Sequence, residues 1–232
     1  LLKKLLLLPI KQILPPMPTQ KKDPQHYSLN LPHRQPTDGV FFVTYNLDGA
    51  LPKDILKNLR EERDLKMAEL KDGGLAEKEI KKALRKIHDL YFGKFDALLD
   101  NPNGGPIFLK DPSVAQIVMD SIHFLDGNLY KVICFTIMSN HVHKIVYKTR
   151  KVLFRIMQSH KGFTGFEANK ILGRSEPFWQ PESFDHQIRN REWLGEKVRY
   201  VLNNPVKAGL VKHWRDWGNS YINTEFLKYA PK

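Results

Sequence analysis

The chain has 232 residues, 41% of them apolar, a formal net charge of +12 and a pI of about 9.6. That is enough for one fair-sized core, or one domain carrying an insertion, rather than several domains. Its single cysteine, Cys134, excludes an internal disulfide framework and a cysteine-based zinc finger, and fits a reducing cytoplasm.

Leu1 to Leu14 has the look of a signal sequence, with Lys3 and Lys4 ahead of Leu5-Leu6-Leu7-Leu8. Pro9 and Lys11 break the apolar run, which is too short to cross a bilayer and lacks a small-residue cleavage site. Residues 1–38 therefore read as a basic, proline-rich extension, with residues 1–16 outside the functional domain and no membrane anchor. Val40 to Tyr45 is rich in β-branched and aromatic residues and predicts a first strand, ended by Leu51-Pro52. Lys53 to Lys71 and Leu75 to Leu98 have helical spacing and are separated by Asp72-Gly73-Gly74. They predict a helical hairpin inserted at about 53–98. Its acidic residues nearly balance its basic ones, so it reads as a solvated insertion, with a grip on nucleic acid or on a second protomer as the alternative.

Asn101 to Pro106 is a loop, and Asp111-Pro112 is an N-cap with proline at the first helical position. The helix it starts runs to about Phe124, with Val114, Ile117, Val118, Ile122 and Leu125 on its apolar side. Asp126-Gly127-Asn128 turns into a strand over Leu129 to Ile137, and Ser139-Asn140 leads into a second over His141 to Tyr147. A helix follows over Val152 to Leu172, loosened near Gly162-Phe163-Thr164-Gly165. Then come a strand over Phe178 to Ile188 and a helix over Arg191 to Asn203 that Pro205 stops. This order fits an α+β fold: a ferredoxin-like antiparallel sheet with helices on its faces, the His141 strand central, the helical hairpin inserted and a further helix at the C-terminal end. Residues 39–217 form the domain and 218–232 a tail. Such a fold hosts many functions and names none.

Chemistry must come from motifs. In Ser139-Asn140-His141-Val142-His143 the two imidazoles are two residues apart on a strand, hence on one face, where they can hold one metal ion. The alternative is two polar residues on a half-buried strand. Tyr200 and Asn204 are four apart on a helix and share a face, offering a phenol and an amide together, or else a packed tyrosine and a capping asparagine. His186 is either another ligand or proton carrier, or a structural or DNA-contacting residue. Phe178 and Trp179 could stack on unpaired bases or be core; Trp193, Trp214 and Trp217 read as packing, and Cys134 as a small core residue.

The succession "MSNHVH", "KGFTGFEANKILGR", "PFWQPESFDHQIR" and "YVLNNPVKAGLV" resembles the REP-associated tyrosine transposases, relatives of the single-tyrosine transposases of the HUH nuclease superfamily. The resemblance runs from about Gly39 to Trp217. It implies that His141 and His143 are metal ligands, that Tyr200 is the nucleophile, and that Asn204 takes the place of a third, amide-bearing ligand. Ser139 stands where the family usually has proline, and Lys144 where it usually has an apolar residue. The activity implied is that of a metal-dependent DNA endonuclease and strand transferase. It would cut and rejoin single-stranded or hairpin DNA through a 5′-phosphotyrosine, as a monomer or homodimer.

Two imidazoles and an amide oxygen leave open positions on an ion, which suits Mg²⁺ or Mn²⁺ better than a closed structural zinc. About nine of the twelve net charges lie between Asn140 and Lys232, and Lys161, Arg174, Arg189, Arg191, Lys197, Arg199 and Lys207 are candidate phosphate contacts. Two rival readings use parts of the same set. A repeat-DNA-binding protein without catalysis would have no use for Tyr200, and a metal-dependent phosphodiesterase would use water in its place.

Overall fold

The computed structural model describes residues 26–28, 32–34, 36–72, 76–100 and 105–232; the reading of residues 1–16 concerns residues outside these. His26–Ser28 (β1) pairs antiparallel with Pro32–Arg34 (β2). The domain is built on β3 (Val40–Asn46), β4 (Lys131–Ile137), β5 (His141–Tyr147), β6 (Phe184–Ile188) and β7 (Ser220–Ile222), in the spatial order β6-β3-β5-β4-β7 with every pairing antiparallel.

Two of the helices are those of the insertion, α1 (Lys53–Asp72) and α2 (Glu77–Asp100). The others are α3 (Pro112–Leu125), α4 (Leu153–Leu172) and α5 (Arg191–Lys207). The path β3, α3, β4, β5, α4, β6 is the ferredoxin-like arrangement expected, with the His141 strand at the centre. Both faces of the sheet are covered, which is why β3 reads as a nearly continuous apolar run and why even the polar residues of β5 are buried.

Alternation along the strands sorts residues between two cores. Phe41, Val43, Tyr45, Val142 and Val146 join Val114, Val118, Ile122, Ile156 and Met157 from α3 and α4. Phe42, Ile133, Cys134 and Ile145 join Tyr91 and Phe92 from α2, Phe184 and Ile188 from β6, and Trp193, Val198, Val201 and Leu202 from α5. Cys134 is fully buried, and that burial pushes its thiol pKa up, as suits a core residue. Asp111 caps α3 by accepting from Ser113 N at 2.8 Å, as its position before Pro112 predicts.

Several boundaries differ from the sequence reading. The helix over Leu153–Leu172 is unbroken at Gly162–Gly165. Gly165 is there for a close approach, since a Cβ on it would meet Phe178 Cβ at 3.2 Å and Trp179 Cδ1 at 3.4 Å. Phe178 and Trp179 are buried and lie ahead of β6 rather than in it, so they are core and not base platforms. Pro205 does not end α5, which continues to Lys207. The proline removes only its own bond to the Val201 carbonyl. The helix closes instead on Ala208 N to Asn204 O (2.9 Å) and Leu210 N to Pro205 O (2.9 Å), with Gly209 at φ 70°.

The insertion is not merely solvated. The C-terminal half of α2 buries Tyr91, Phe92, Asp96 and Leu99 against the sheet. In the stretch that reads as a tail, β7 extends the sheet and Phe226 and Tyr229 pack on the second core. Among the described residues no helix is long and apolar enough to cross a membrane.

Candidate active site

β5 pairs with β3 so that His143 lies opposite Thr44 and His141 opposite Asn46. Both imidazoles point into the second core and are fully buried. Thr44 Oγ1 lies 2.7 Å from His143 Nδ1, and Asn140 Oδ1 lies 2.7 Å from His141 Nδ1. Each oxygen can accept from an Nδ1–H, which turns both Nε2 lone pairs inward, the orientation that a metal-bound histidine needs. The two Nε2 atoms are 3.0 Å apart. Burial, then the neighbouring His143, hold the His141 pKa well below the ordinary range, so this imidazole is neutral and ligand-ready.

Helix α5 brings the second pair. Tyr200 and Asn204 project from one side of it, with the Tyr200 ring centroid 5.6 Å from that of His143 and Asn204 Nδ2 3.3 Å from His143 Nε2. Asn204 Oδ1 is buried without a hydrogen-bond partner; a half-turn of the amide would present that oxygen to the imidazoles. The sequence-derived residues His141, His143 and Asn204, all buried, are thus brought together with the half-buried Tyr200.

The insertion adds two residues that the sequence reading missed. Asp96 Oδ1 lies 3.1 Å from His143 Nε2, and the Tyr200 hydroxyl donates to Asp96 Oδ2. One turn on, Asp100 Oδ1 lies 3.9 Å from His141 Nε2, while its Oδ2 accepts from Lys207 at 2.7 Å. Burial raises the Asp96 pKa, but His143, His141 and Lys207 together outweigh it and leave the carboxyl below the ordinary range. For Asp100 burial wins over Lys207, and its pKa is raised. Asn140 ties the insertion to the motif by donating from Nδ2 to Leu99 O at 3.0 Å. The available signal was the stripe Phe92, Asp96, Leu99, Asp100, in which carboxylates fall on the apolar side of α2 at helical spacing.

The donor set fits a divalent cation. Asp96, His141 and His143 each offer an atom within 4.8 Å of the others, all three residues being buried. Two donors bonded to one six-coordinate ion at right angles lie about 3 Å apart, which matches the 3.0 Å and 3.1 Å separations here. Lone pairs so close repel one another unless a positive charge lies among them.

His186 is placed elsewhere: it packs against Trp193 at 4.6 Å between centroids and is not among the clustered donors. Of the basic candidates, Lys197 Nζ sits 5.4 Å from the Tyr200 ring centroid, and Lys207 pairs with Asp100 at the edge of the site. Arg189, Arg191 and Arg199 are exposed around the start and along the outside of α5. Arg174 lies over the Phe108 ring at 4.2 Å and pairs with Glu176. Lys161 turns inward and donates to the carbonyls of Gln180, Pro181 and Glu182 at 2.6, 2.9 and 3.2 Å, and to Ser183 Oγ at 3.3 Å.

No family model matches the chain. It is similar to the REP-associated tyrosine transposase of Escherichia coli (strain K12), with 38% identity over 50 residues, 22% of this chain and 30% of that protein. A Haemophilus influenzae protein (strain ATCC 51907 / DSM 11121 / KW20 / Rd), provisionally given the same name, is 24% identical over 107 residues, 41% of this chain and 61% of that one. The chain therefore spans less than two thirds of the length of either relative. A solved structure of a REP-associated tyrosine transposase bound to a REP hairpin aligns over 88% of this chain and 82% of its own, at 16% identity and a TM-score of 0.48. The likeness to REP-associated tyrosine transposases read from the four motifs is thus found again in curated relatives.

Proposed function

We propose that this chain, a relative of the REP-associated tyrosine transposases, cuts and rejoins single-stranded or hairpin DNA through a covalent bond to Tyr200. The observation that carries the reading is the meeting of the Tyr200 phenol with the His141–His143 pair, through Asp96 and at 5.6 Å from the His143 ring. A phenol that was only a packing element would not need to face a buried donor cluster. In the reaction Tyr200 Oη forms a bond to phosphorus while the bond from phosphorus to the 3′ oxygen breaks, giving a 5′-phosphotyrosine and a free 3′-hydroxyl. The phenolic proton leaves along the hydrogen bond to Asp96 Oδ2, and the departing 3′ oxygen takes one up. Attack by a 3′-hydroxyl on the phosphotyrosine reverses these bond changes and joins strands without ATP.

His141, His143 and Asn204 would hold a Mg²⁺ or Mn²⁺ ion, whose chemistry is Lewis-acid polarisation of the scissile phosphate. The imidazoles, oriented by Thr44 and Asn140, present Nε2 to it. Lys197 and Lys207 flank the Tyr200 ring and suit a phosphate arriving there; Arg189, Arg191 and Arg199 suit the flanking backbone, with Arg174 farther off. The hydroxyl and the histidines of one chain already meet, so cleavage in cis by a monomer needs no partner. For a homodimer with shared sites, mixing His143→Ala and Tyr200→Phe chains would restore nicking.

The test is labelled hairpin DNA incubated with Mn²⁺ and the wild type or Tyr200→Phe, followed by a denaturing protein gel. A labelled adduct with the wild type alone is expected. Cleavage without an adduct would mean water-driven hydrolysis, and a mobility shift without cleavage would mean a binding protein. His141→Ala and His143→Ala are expected to lose nicking while keeping most hairpin affinity, because phosphate contacts elsewhere dominate binding.

A further inference from the structure

We infer that the helical insertion completes the cation centre: Asp96, carried on α2, is a direct ligand through Oδ1 and at the same time holds the Tyr200 hydroxyl through Oδ2. This rests on the reading of His141 and His143 as the metal-binding pair, and assigns to the insertion a role that the motif alone does not.

The geometry is that of a ligand rather than of a neighbour. Asp96 Oδ1 stands 3.1 Å from His143 Nε2, the same spacing as the 3.0 Å between the two imidazole nitrogens. Its residue is 1% exposed, and Oδ1 has no hydrogen-bond donor. Asn204 Oδ1, also on a residue 1% exposed, is likewise unpartnered. Buried oxygens with no donor are costly unless a positive charge satisfies them. Lys207 does not do this for Asp96, because its ammonium lies 3.9 Å from Oδ2 and pairs with Asp100 instead. Asp100 is an outer partner: its Oδ1 is 3.9 Å from His141 Nε2, and it lies outside the clustered donors.

Two contacts hold α2 in place for this task. Asn140, which orients His141, also binds the Leu99 carbonyl at 3.0 Å. The Phe92 ring packs on Phe184 at 4.4 Å and on Phe42 at 5.2 Å. Ion binding and docking of the insertion are therefore coupled, and a carboxylate ligand makes the centre more anionic than two imidazoles and an amide would, favouring Mg²⁺ or Mn²⁺.

Calorimetric titration of Mn²⁺ into the whole chain tests this without DNA. Asp96→Asn keeps the shape and can still accept from Tyr200; it is expected to weaken Mn²⁺ about 100-fold, with a smaller loss for Asp100→Asn. Hydrogen exchange on the wild type is the second measurement: Mn²⁺ should slow exchange of the backbone amides over residues 92–100. Unchanged Mn²⁺ affinity in Asp96→Asn overturns the inference. If that variant does not fold, exchange over residues 92–100 that ignores Mn²⁺ overturns it. More adduct with Asp96→Asn at unchanged Mn²⁺ affinity would make Asp96 a plug on the site, and also overturns it. The two readings fail separately. Asp96-dependent Mn²⁺ binding without any wild-type adduct would sink strand transfer alone, while a wild-type adduct with Asp96-independent Mn²⁺ binding would sink the ligand alone.

Discussion

Replacing Lys144 by methionine should stabilise the protein, by an amount that depends on pH. Lys144 follows His143 in β5 and so points into the opposite core, where it is fully buried. The groups facing it are Tyr130, whose hydroxyl is 3.4 Å from Nζ, Tyr45, whose ring centroid is 5.5 Å away, and His160, which bonds to Tyr45 at 2.7 Å and to Ser121 at 2.8 Å. Burial keeps both phenols protonated and, with Lys144 as a lesser cause, His160 uncharged. Burial alone pulls the Lys144 ammonium down from 10.5 to about 7. Between those values the unfolded chain binds a proton that the folded chain does not, so wild-type stability rises with pH across that window.

At about pH 7 the cost to the fold is about 4 kcal/mol, falling to about 1 kcal/mol near pH 9.5. Methionine removes that cost and gives up cation–π contacts with Tyr45 and Tyr130 worth about 1–2 kcal/mol. The expected gain is about 2–3 kcal/mol near pH 7, where the ammonium and its cation–π contacts are still partly present. Near pH 9.5 it is about 1 kcal/mol, because the buried amine is already neutral and has no such contact to lose. Urea unfolding of both proteins at the two pH values measures it. Wild-type and Lys144→Met stabilities that run parallel in pH would refute the reasoning.

Thr44→Val keeps the shape of the buried side chain but removes the oxygen opposite His143 Nδ1; Mn²⁺ affinity by calorimetry is expected to fall about 10–100-fold with the fold intact. Lys161→Met leaves the carbonyls of Gln180, Pro181 and Glu182 without their shared donor. It should cost about 2 kcal/mol of stability in urea unfolding and leave the salt dependence of hairpin binding unchanged. Arg191→Ala, at an exposed position opening α5, should instead leave stability alone and lower the slope of log affinity against log salt by about 0.7–0.9.

The sheet and the core of the site were legible in the sequence because both rest on short-range periodicity. Alternation in Val40 to Asn46 and His141 to Tyr147 gives strands with defined faces, and the four-residue step from Tyr200 to Asn204 gives a helical pair; tertiary packing changed neither. The expectations that failed needed knowledge of what lay opposite. Gly162 to Gly165 looks like a break until Phe178 and Trp179 occupy the space that Gly165 leaves. Pro205 looks like a stop, but in the last turn it forfeits a single hydrogen bond. The balanced charge of residues 53–98 looks solvated when charges are counted, whereas the decisive fact is where they fall: Asp96 and Asp100 sit on the stripe with Phe92 and Leu99. Lys161 looks like a phosphate contact by charge alone, and only the fold brings the loop at 180–183 over it.

The same alternation makes β5 the border between two buried polar clusters. His141 and His143 look toward α2 and α5, while Val142 and Lys144 look toward α3 and α4. On the first side, lone pairs and carboxylate oxygens converge and a cation lowers the energy. On the second, an ammonium is ringed by neutral phenols and an imidazole, so a cation raises it. A single-residue slip of β5 against β3 would exchange the two sides, setting Lys144 against the His-binding groups Thr44 and Asp96 and turning the histidines into the α3–α4 core. The pairing of Thr44 with His143 and of Asn46 with His141 is therefore fixed twice over, by apolar packing on both faces and by opposite electrostatic demands on each. That double constraint lets a strand with four ionisable residues in seven hold one register, and with it the position of the imidazoles relative to Tyr200.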